Sequence, residues 1–337
     1  MKNIKIINFV ILFALVGFSA HADKPVLTIY TYDSFTSDWG PGPVIETKFE
    51  EICECDLQFV GLDSSIGILG RIKLEGLNTK ADIALGLDTN LVHLAKETGY
   101  FSELPTKVKN NYINNSSLPI EYDDNMFMPF DWGWFGFVYN KNNLKNPPKS
   151  LKELSKMSDD VKVVIQDPRT STPGLGLLLW IKSVYGDNAI DYWRELQPKI
   201  LTVTKGWSEA YALFLDGEAD MVLSYTTSPA YHLIAEENES FEATIFAEGN
   251  YLQIEVAGIL KSSSEPELAA HFLEFMASPS FQNIIPTTNW MYPAYNAEIP
   301  EGFEAVAKPS KTLLLNSENV AANQKKWIDE WLTASTK

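Results

Sequence analysis

The residues best suited to hold a ligand lie in a few short segments, each joining an apolar run to a helical pattern. In Gln166-Asp167-Pro168-Arg169-Thr170-Ser171-Thr172-Pro173-Gly174-Leu175-Gly176 the run ends and an apolar helix opens. Thr172 is placed to cap that helix and Pro173 suits its first turn. Free backbone N–H groups beside the hydroxyls of Ser171 and Thr172 make a natural anion site. A helix cap without a ligand accounts for the same residues equally well. A Walker phosphate loop does not, because the Gly-Lys-Ser/Thr ending is missing.

Four further segments add aromatic and hydroxyl groups. Lys205-Gly206-Trp207-Ser208-Glu209-Ala210-Tyr211 is a strand-to-helix turn that carries Trp207. Ligands of open α/β sheets bind at such strand ends. Leu223–Tyr231 repeats the pattern with Tyr225-Thr226-Thr227-Ser228 before Pro229 and Tyr231, hydroxyls that either bond a ligand or cap a helix. Thr288-Asn289-Trp290-Met291-Tyr292-Pro293 is an aromatic loop, and Tyr30-Thr31-Tyr32-Asp33 ends the first strand. Any one of these rings is ordinary core material. Together, in a chain of 9 Trp and 14 Tyr, they point to a flat or cationic ligand, since ring faces attract cations. Combined with a helix-end anion site, they describe a ligand that is both a flat cation and a phosphate carrier.

Chemistry beyond binding finds little support. There is no Gly-x-Ser-x-Gly, and no histidine stands beside a nucleophile. His93, His232 and His271 are scattered, without zinc-ligand spacing, so neither a catalytic residue nor a metal is expected. Cys53 and Cys55, the only cysteines, form either two thiols or a small local staple, since a Cys-x-Cys link closes a tiny loop.

The elements that must position these segments alternate strand with helix. Val26–Tyr32, Leu57–Leu62 and Ala81–Leu87 read as strands, with helical patterns at Pro43–Ile52 and Ile66–Glu75. A second set has strands at Val161–Ile165, Leu201–Thr204 and Met221–Tyr225 and helices between them. Such alternation implies βαβ units. Two long extended runs, 126–139 and 251–260, cross between the sets, and helical patterns follow at Pro266–Ala277 and Ser317–Leu332. The expected architecture is therefore α/β and two-lobed, with crossover hinge strands and a ligand cleft between the lobes. Residues 23–127 with 255–337 form one lobe and 128–254 the other.

Lys2 and Lys5, the apolar run Phe9–Val16 and Ala20-His21-Ala22 read as a cleavable secretory signal over residues 1–22. The apolar run is shorter than the ~20 residues that span a bilayer. The 337 residues carry a formal net charge of −17, which excludes a phosphate-backbone partner such as nucleic acid.

At these motifs the chain resembles the periplasmic thiamine-binding proteins of thiamine ABC transporters. The similarity lies in LTIYTYDSFTSDWGPGP, KADIALGLD, NPPKSLKEL, QDPRTSTPGLGLLLW, TVTKGWSEAY, LSYTTSPAYH and NWMYP, and spans the chain beyond the signal segment. It implies a periplasmic binding protein fold and, as transported ligands, thiamine, thiamine monophosphate and thiamine diphosphate. It also implies no cofactor, a membrane permease as partner, and a monomer. Carried over by motif, Ser171 and Thr172 meet the phosphate, with Ser64 and Ser65 helping from the other lobe. Trp207, Tyr225, Thr226, Thr227 and Ser228 line the pocket, while Tyr32, Tyr231 and Trp290 stack on the rings. Ser64-Ser65 departs from the family pattern, which tends to an acidic residue followed by Gly. Two other functions share the architecture. A thiamine-degrading enzyme needs a cleft cysteine nucleophile, and a ferric-ion receptor uses adjacent tyrosines, which this chain lacks.

Overall fold

Two strands, buried throughout but for the last residue of one, organise the molecule. The computed structural model describes residues 24–335, without the side chains of residues 111–115. The expected signal segment, 1–22, lies outside the described residues. The strands are β1 (Val26–Tyr32), β2 (Asp56–Leu62), β3 (Ile83–Asp88), β4 (Met128–Asn140), β5 (Val163–Gln166), β6 (Ile200–Thr204), β7 (Met221–Tyr225), β8 (Phe241–Ala243), β9 (Asn250–Ile259), β10 (Tyr292–Pro293) and β11 (Thr312–Leu313). Eight of them run in the order β2-β1-β3-β9-β4-β7-β5-β6.

The order explains the sequence pattern. On one side β1 pairs in parallel with β2 and β3, and on the other β5 pairs in parallel with β6 and β7. These are the two βαβ sets. Between them β9 and β4 run antiparallel to each other and to their outer neighbours β3 and β7. Both are covered on both faces, so they read as continuous apolar runs and not as alternating ones. They are the crossover strands of a two-lobed, curled sheet.

Helices Gly42–Cys53 and Ser65–Glu75 accompany the first set. In the second set, helix Thr172–Tyr185 is buried from Thr172 through Lys182 and is the centre of its half. It sits unusually close to the sheet. A Cβ on Gly174 would stand 2.5 Å from the Gln166 carbonyl oxygen, and one on Gly176 would meet the Phe135 ring. The C-terminal helix Ser317–Ser335 buries Trp327 and Trp331. It touches helix Val92–Glu97 of the first set and helices Thr172–Tyr185 and Ala189–Leu196 of the second. Lys182 Nζ donates to Glu330 Oε2 at 2.9 Å there.

Cys53 and Cys55, left open by the sequence, are joined as a disulfide. The intervening Glu54 turns the chain in the left-handed region at φ 53° and ends the first helix. Among the described residues no helix is long and apolar enough to cross a membrane.

Gly174 decides how closely the buried helix start approaches the end of β5. Gly174→Ala pushes a methyl group into main-chain atoms, which cannot rotate away. Thermal unfolding of this variant is expected to show a loss of about 1–3 kcal/mol, and an unchanged melting temperature would contradict the packing described.

Candidate functional site

Three helices begin at one place, and the start of each belongs to a segment singled out above. Ser171 and not Thr172 is the residue before the buried helix, and Thr172 is its first helical residue. The cap expected of Thr172 is thereby corrected: Pro173 occupies the second position and the Ser171 side chain makes no cap bond. The Thr172 hydroxyl turns elsewhere, accepting a hydrogen bond from the backbone N of Ser65 at 3.3 Å. Ser64 is the capping residue of helix Ser65–Glu75, its Oγ accepting from Gly67 N at 3.4 Å. The same Oγ donates to the Thr170 carbonyl at 2.7 Å. Ser65 Oγ donates to the Gly86 carbonyl. The third helix, Trp207–Leu215, is tied in through Thr170, whose hydroxyl donates to the Lys205 carbonyl at 2.8 Å. The expected group Ser64, Ser65, Ser171 and Thr172 is thus assembled from both halves of the molecule. Each helix start carries partial positive charge, although the Ser65 and Gly67 N–H groups are already engaged. At the rim, Lys205 Nζ reaches Asp63 Oδ2 at 2.8 Å, an exposed pair of small energetic weight.

Three of the aromatic candidates, Trp207, Tyr231 and Trp290, make two ring contacts. Trp207 stacks on Tyr211 with centroids 4.9 Å apart and donates from Nε1 to Ser224 Oγ at 2.8 Å. Ser224 Oγ in turn meets Ser228 Oγ at 2.8 Å. Tyr231 and Trp290, both half-buried, meet edge to face at 5.3 Å. Trp290 holds the left-handed conformation, φ 56°, which costs a bulky residue of this kind about 1–3 kcal/mol. Thr226 and Thr227 face inward. Thr226 is fully buried, its N bonded to the Trp134 carbonyl, and Thr227 Oγ1 lies against Met291 Sδ.

Tyr32 and Tyr225, from opposite halves, are linked by a chain of polar groups that the sequence reading did not select. Tyr225 OH donates to Gln253 Oε1 at 3.0 Å, and Gln253 Nε2 donates to Glu255 Oε1 at 3.0 Å. Tyr32 OH donates to the other oxygen of Glu255 at 2.7 Å. Asn289 Nδ2 then bridges Tyr32 OH and Asp131 Oδ2 at 2.9 and 2.5 Å. Glu255 is registered across the ladder with Asp131 on β4 and with Asp88 on β3, so the three carboxyls form one row. A single acid inside each otherwise apolar crossover run was the available signal, because an uncompensated buried charge is costly.

Burial raises all three acids. Asp88 moves from 3.8 to about 6. Asp131 and Glu255 are raised further as a pair, by desolvation and, for Glu255, by the neighbouring carboxylate. Desolvation with the nearby Glu255 also drives the Tyr32 hydroxyl far up. Groups that hold protons more tightly folded than unfolded stabilise the fold at low pH and lose that contribution as pH rises through their folded values. Stability of the ligand-free protein is therefore expected to fall as pH rises from about 4 through about 6 and 7, where Asp88 and Asp131 titrate, and Asp131→Asn to flatten that slope. Equal slopes for the two proteins in thermal melts would contradict the assignment.

Comparison with known proteins places this geometry. Residues 53–312 match the bacterial extracellular solute-binding protein family. The chain is 54% identical over 311 residues to the thiamine-binding periplasmic protein of Escherichia coli, covering 92% of this chain and 94% of that one. It is 49% identical over 340 residues to the protein of that name from Brucella abortus, covering all of both. The solved structure of a periplasmic thiamin binding protein superimposes with a TM-score of 0.88 at 52% identity, over 93% of this chain and 97% of that one. The chain belongs to the bacterial extracellular solute-binding protein family.

Proposed function

We propose that this protein is a periplasmic receptor that captures thiamine, thiamine monophosphate and thiamine diphosphate and delivers them to the membrane permease of an ABC transporter. The observation that carries the reading is the meeting of two helix N-termini from opposite halves, at Ser65 and Thr172. The two starts touch directly, and an anion bound beside them offsets the repulsion of their positive ends. The phosphate supplies that anion. The relatives named above bind thiamine by their names, and the aromatic contacts beside the helix ends offer faces to flat rings.

In this reading Ser64, Ser65, Ser171 and Thr172 take the phosphate. Trp207, Tyr225, Thr226, Thr227 and Ser228 shape the wall, and Tyr32, Tyr231 and Trp290 lie along the rings. The lobes are 23–127 with 255–337, and 128–254, joined through β4 and β9, with the C-terminal helix lying against both. Ligand bridges the lobes and favours the closed form, and the closed form is what the permease accepts. Residues 1–22 direct export and are removed. The mature chain works as a monomer, with no cofactor and no covalent step.

Titration calorimetry with the three thiamine forms tests this. One-to-one binding is expected for each. Thr172→Ala should weaken the phosphate forms by about tenfold while leaving thiamine little changed, as loss of a bond to a charged group implies. Trp290→Ala should weaken all three alike. Absence of heat with any thiamine form, or consumption of thiamine in the presence of an amine, would overturn the receptor reading.

A further inference from the structure

We infer that Glu255 and Asp131, with Asp88 beside them, are the residues that select for the positive charge of the ligand's heterocycle. This rests on the thiamine reading above and adds the subsite that reads the cation, opposite in sign to the helix ends.

The argument begins with neighbours. Asp88 on β3, Glu255 on β9 and Asp131 on β4 occupy registered positions on three adjacent strands. Tyr32 faces them from β1 and Tyr225 from β7, with the neutral amides Gln253 and Asn289 between. Among the described residues no lysine, arginine or histidine forms an ion pair with any of the three acids, and every charged neighbour acting on Glu255 is another carboxylate. Buried charges in folded proteins are paired or coordinated. Here the protein itself supplies no counter-charge.

Two carboxyl oxygens also lack an N–H or O–H donor from outside the row. Asp131 Oδ1 and Asp88 Oδ2 are buried without one, the other oxygen of each taking a bond from Asn289 and from the backbone N of Asn90, and the Asp131 carboxyl meets that of Glu255 across the ladder. Native interiors seldom leave such acceptors unused without a purpose. Asp88 and Asp131 are fully buried, and the row comes nearest the surface at Glu255. Glu255 keeps 5% of its surface and Tyr32 9%, and Tyr225, Asn289 and Trp290 beside them are half-buried. Among the described residues no three His, Cys, Asp or Glu side chains are grouped to hold a metal ion. Oxygens arranged in a row and flanked by the Tyr225 ring suit a flat organic cation, held by charge and by ring faces.

Three close carboxyls cannot all ionise without a cation, so the row retains protons when no ligand is bound. An arriving cation takes the place of that positive charge, and the proton leaves to solvent. Thiamine binding is then linked to proton release and strengthens as pH rises.

The test compares thiamine with thiochrome, its uncharged flat oxidation product, in the mature protein and in Glu255→Gln and Asp131→Asn. The wild type should favour thiamine, and either variant should lose about tenfold or more for thiamine while thiochrome changes less than about threefold. In the wild type, calorimetric enthalpies for thiamine should differ between buffers of high and low ionisation enthalpy by an amount that reports protons released, a measurement that needs no variant. Wild-type protein that binds thiamine with no proton release, alongside variants that keep their affinity or lose both ligands equally, overturns the cation subsite and leaves the receptor reading standing. Wild-type protein silent toward thiamine overturns both.

Discussion

A carboxylate buried without a cation is among the costliest groups a folded chain can hold, and β4 and β9 each carry one at the same level of their shared ladder. Much else follows from accommodating them. Glu255 needs acceptor-satisfying donors, and receives them from Tyr32 and Gln253. Asp131 receives Asn289. Those donors come from the end of β1, from the crossover strand itself and from the loop before β10, and Tyr225 at the end of β7 completes the chain. A polar network of this kind is worthwhile only if nearly every member is satisfied. It therefore fixes how five separate stretches of sequence meet at the point where the two halves of the sheet join.

The helix starts impose the complementary condition. Ser65 and Thr172 approach from opposite halves, and the glycine at 174 lets the buried helix come close enough to β5 for this to happen. One region of the cleft is thus rich in backbone N–H groups and positive helix ends, while another is rich in carboxyls. A ligand with one charge sign meets half of this arrangement and leaves the other half uncompensated. A ligand with a cationic ring and a phosphate meets both. In the proposed reading, aromatic side chains such as Tyr225 and Trp290 lie between them and take a flat ring.

How much of this was legible in the sequence depends on the range of the interaction. The strand and helix alternation is local, and nearly every segment read from it stands as an element within a few residues, as with Met221–Tyr225 and Pro266–Met276. The long aromatic run and its counterpart at 251–260 are the crossover strands because continuous apolar sequence is what two covered faces require. Thr172 was legible through helix-start chemistry and Ser64 and Ser65 only through the family resemblance, although the residue preceding the buried helix is Ser171. The acid row was not. Asp88, Asp131 and Glu255 are far apart in the chain, and only strand register brings them into line. Each looked like an isolated polar residue in an apolar strand. The Cys53–Cys55 link was likewise open, because its formation turns on the left-handed backbone of Glu54.

The two charged regions also bear on why closing of such a cleft can report occupancy. Bringing the Ser65 and Thr172 helix starts together concentrates positive potential, and burying the carboxyl row concentrates negative potential or traps protons. Both costs fall when the cleft shuts on a ligand that supplies a phosphate to one end and a cation to the other. The preference for the closed form then comes from differential interaction, the only source from which a ligand can shift a conformational equilibrium. Apolar contact alone would favour closure around any flat molecule of the right size. On the proposed reading, charge placed at both ends, at the hinge strands and at the facing helices, makes closure depend on the ligand's chemistry as well as on its shape.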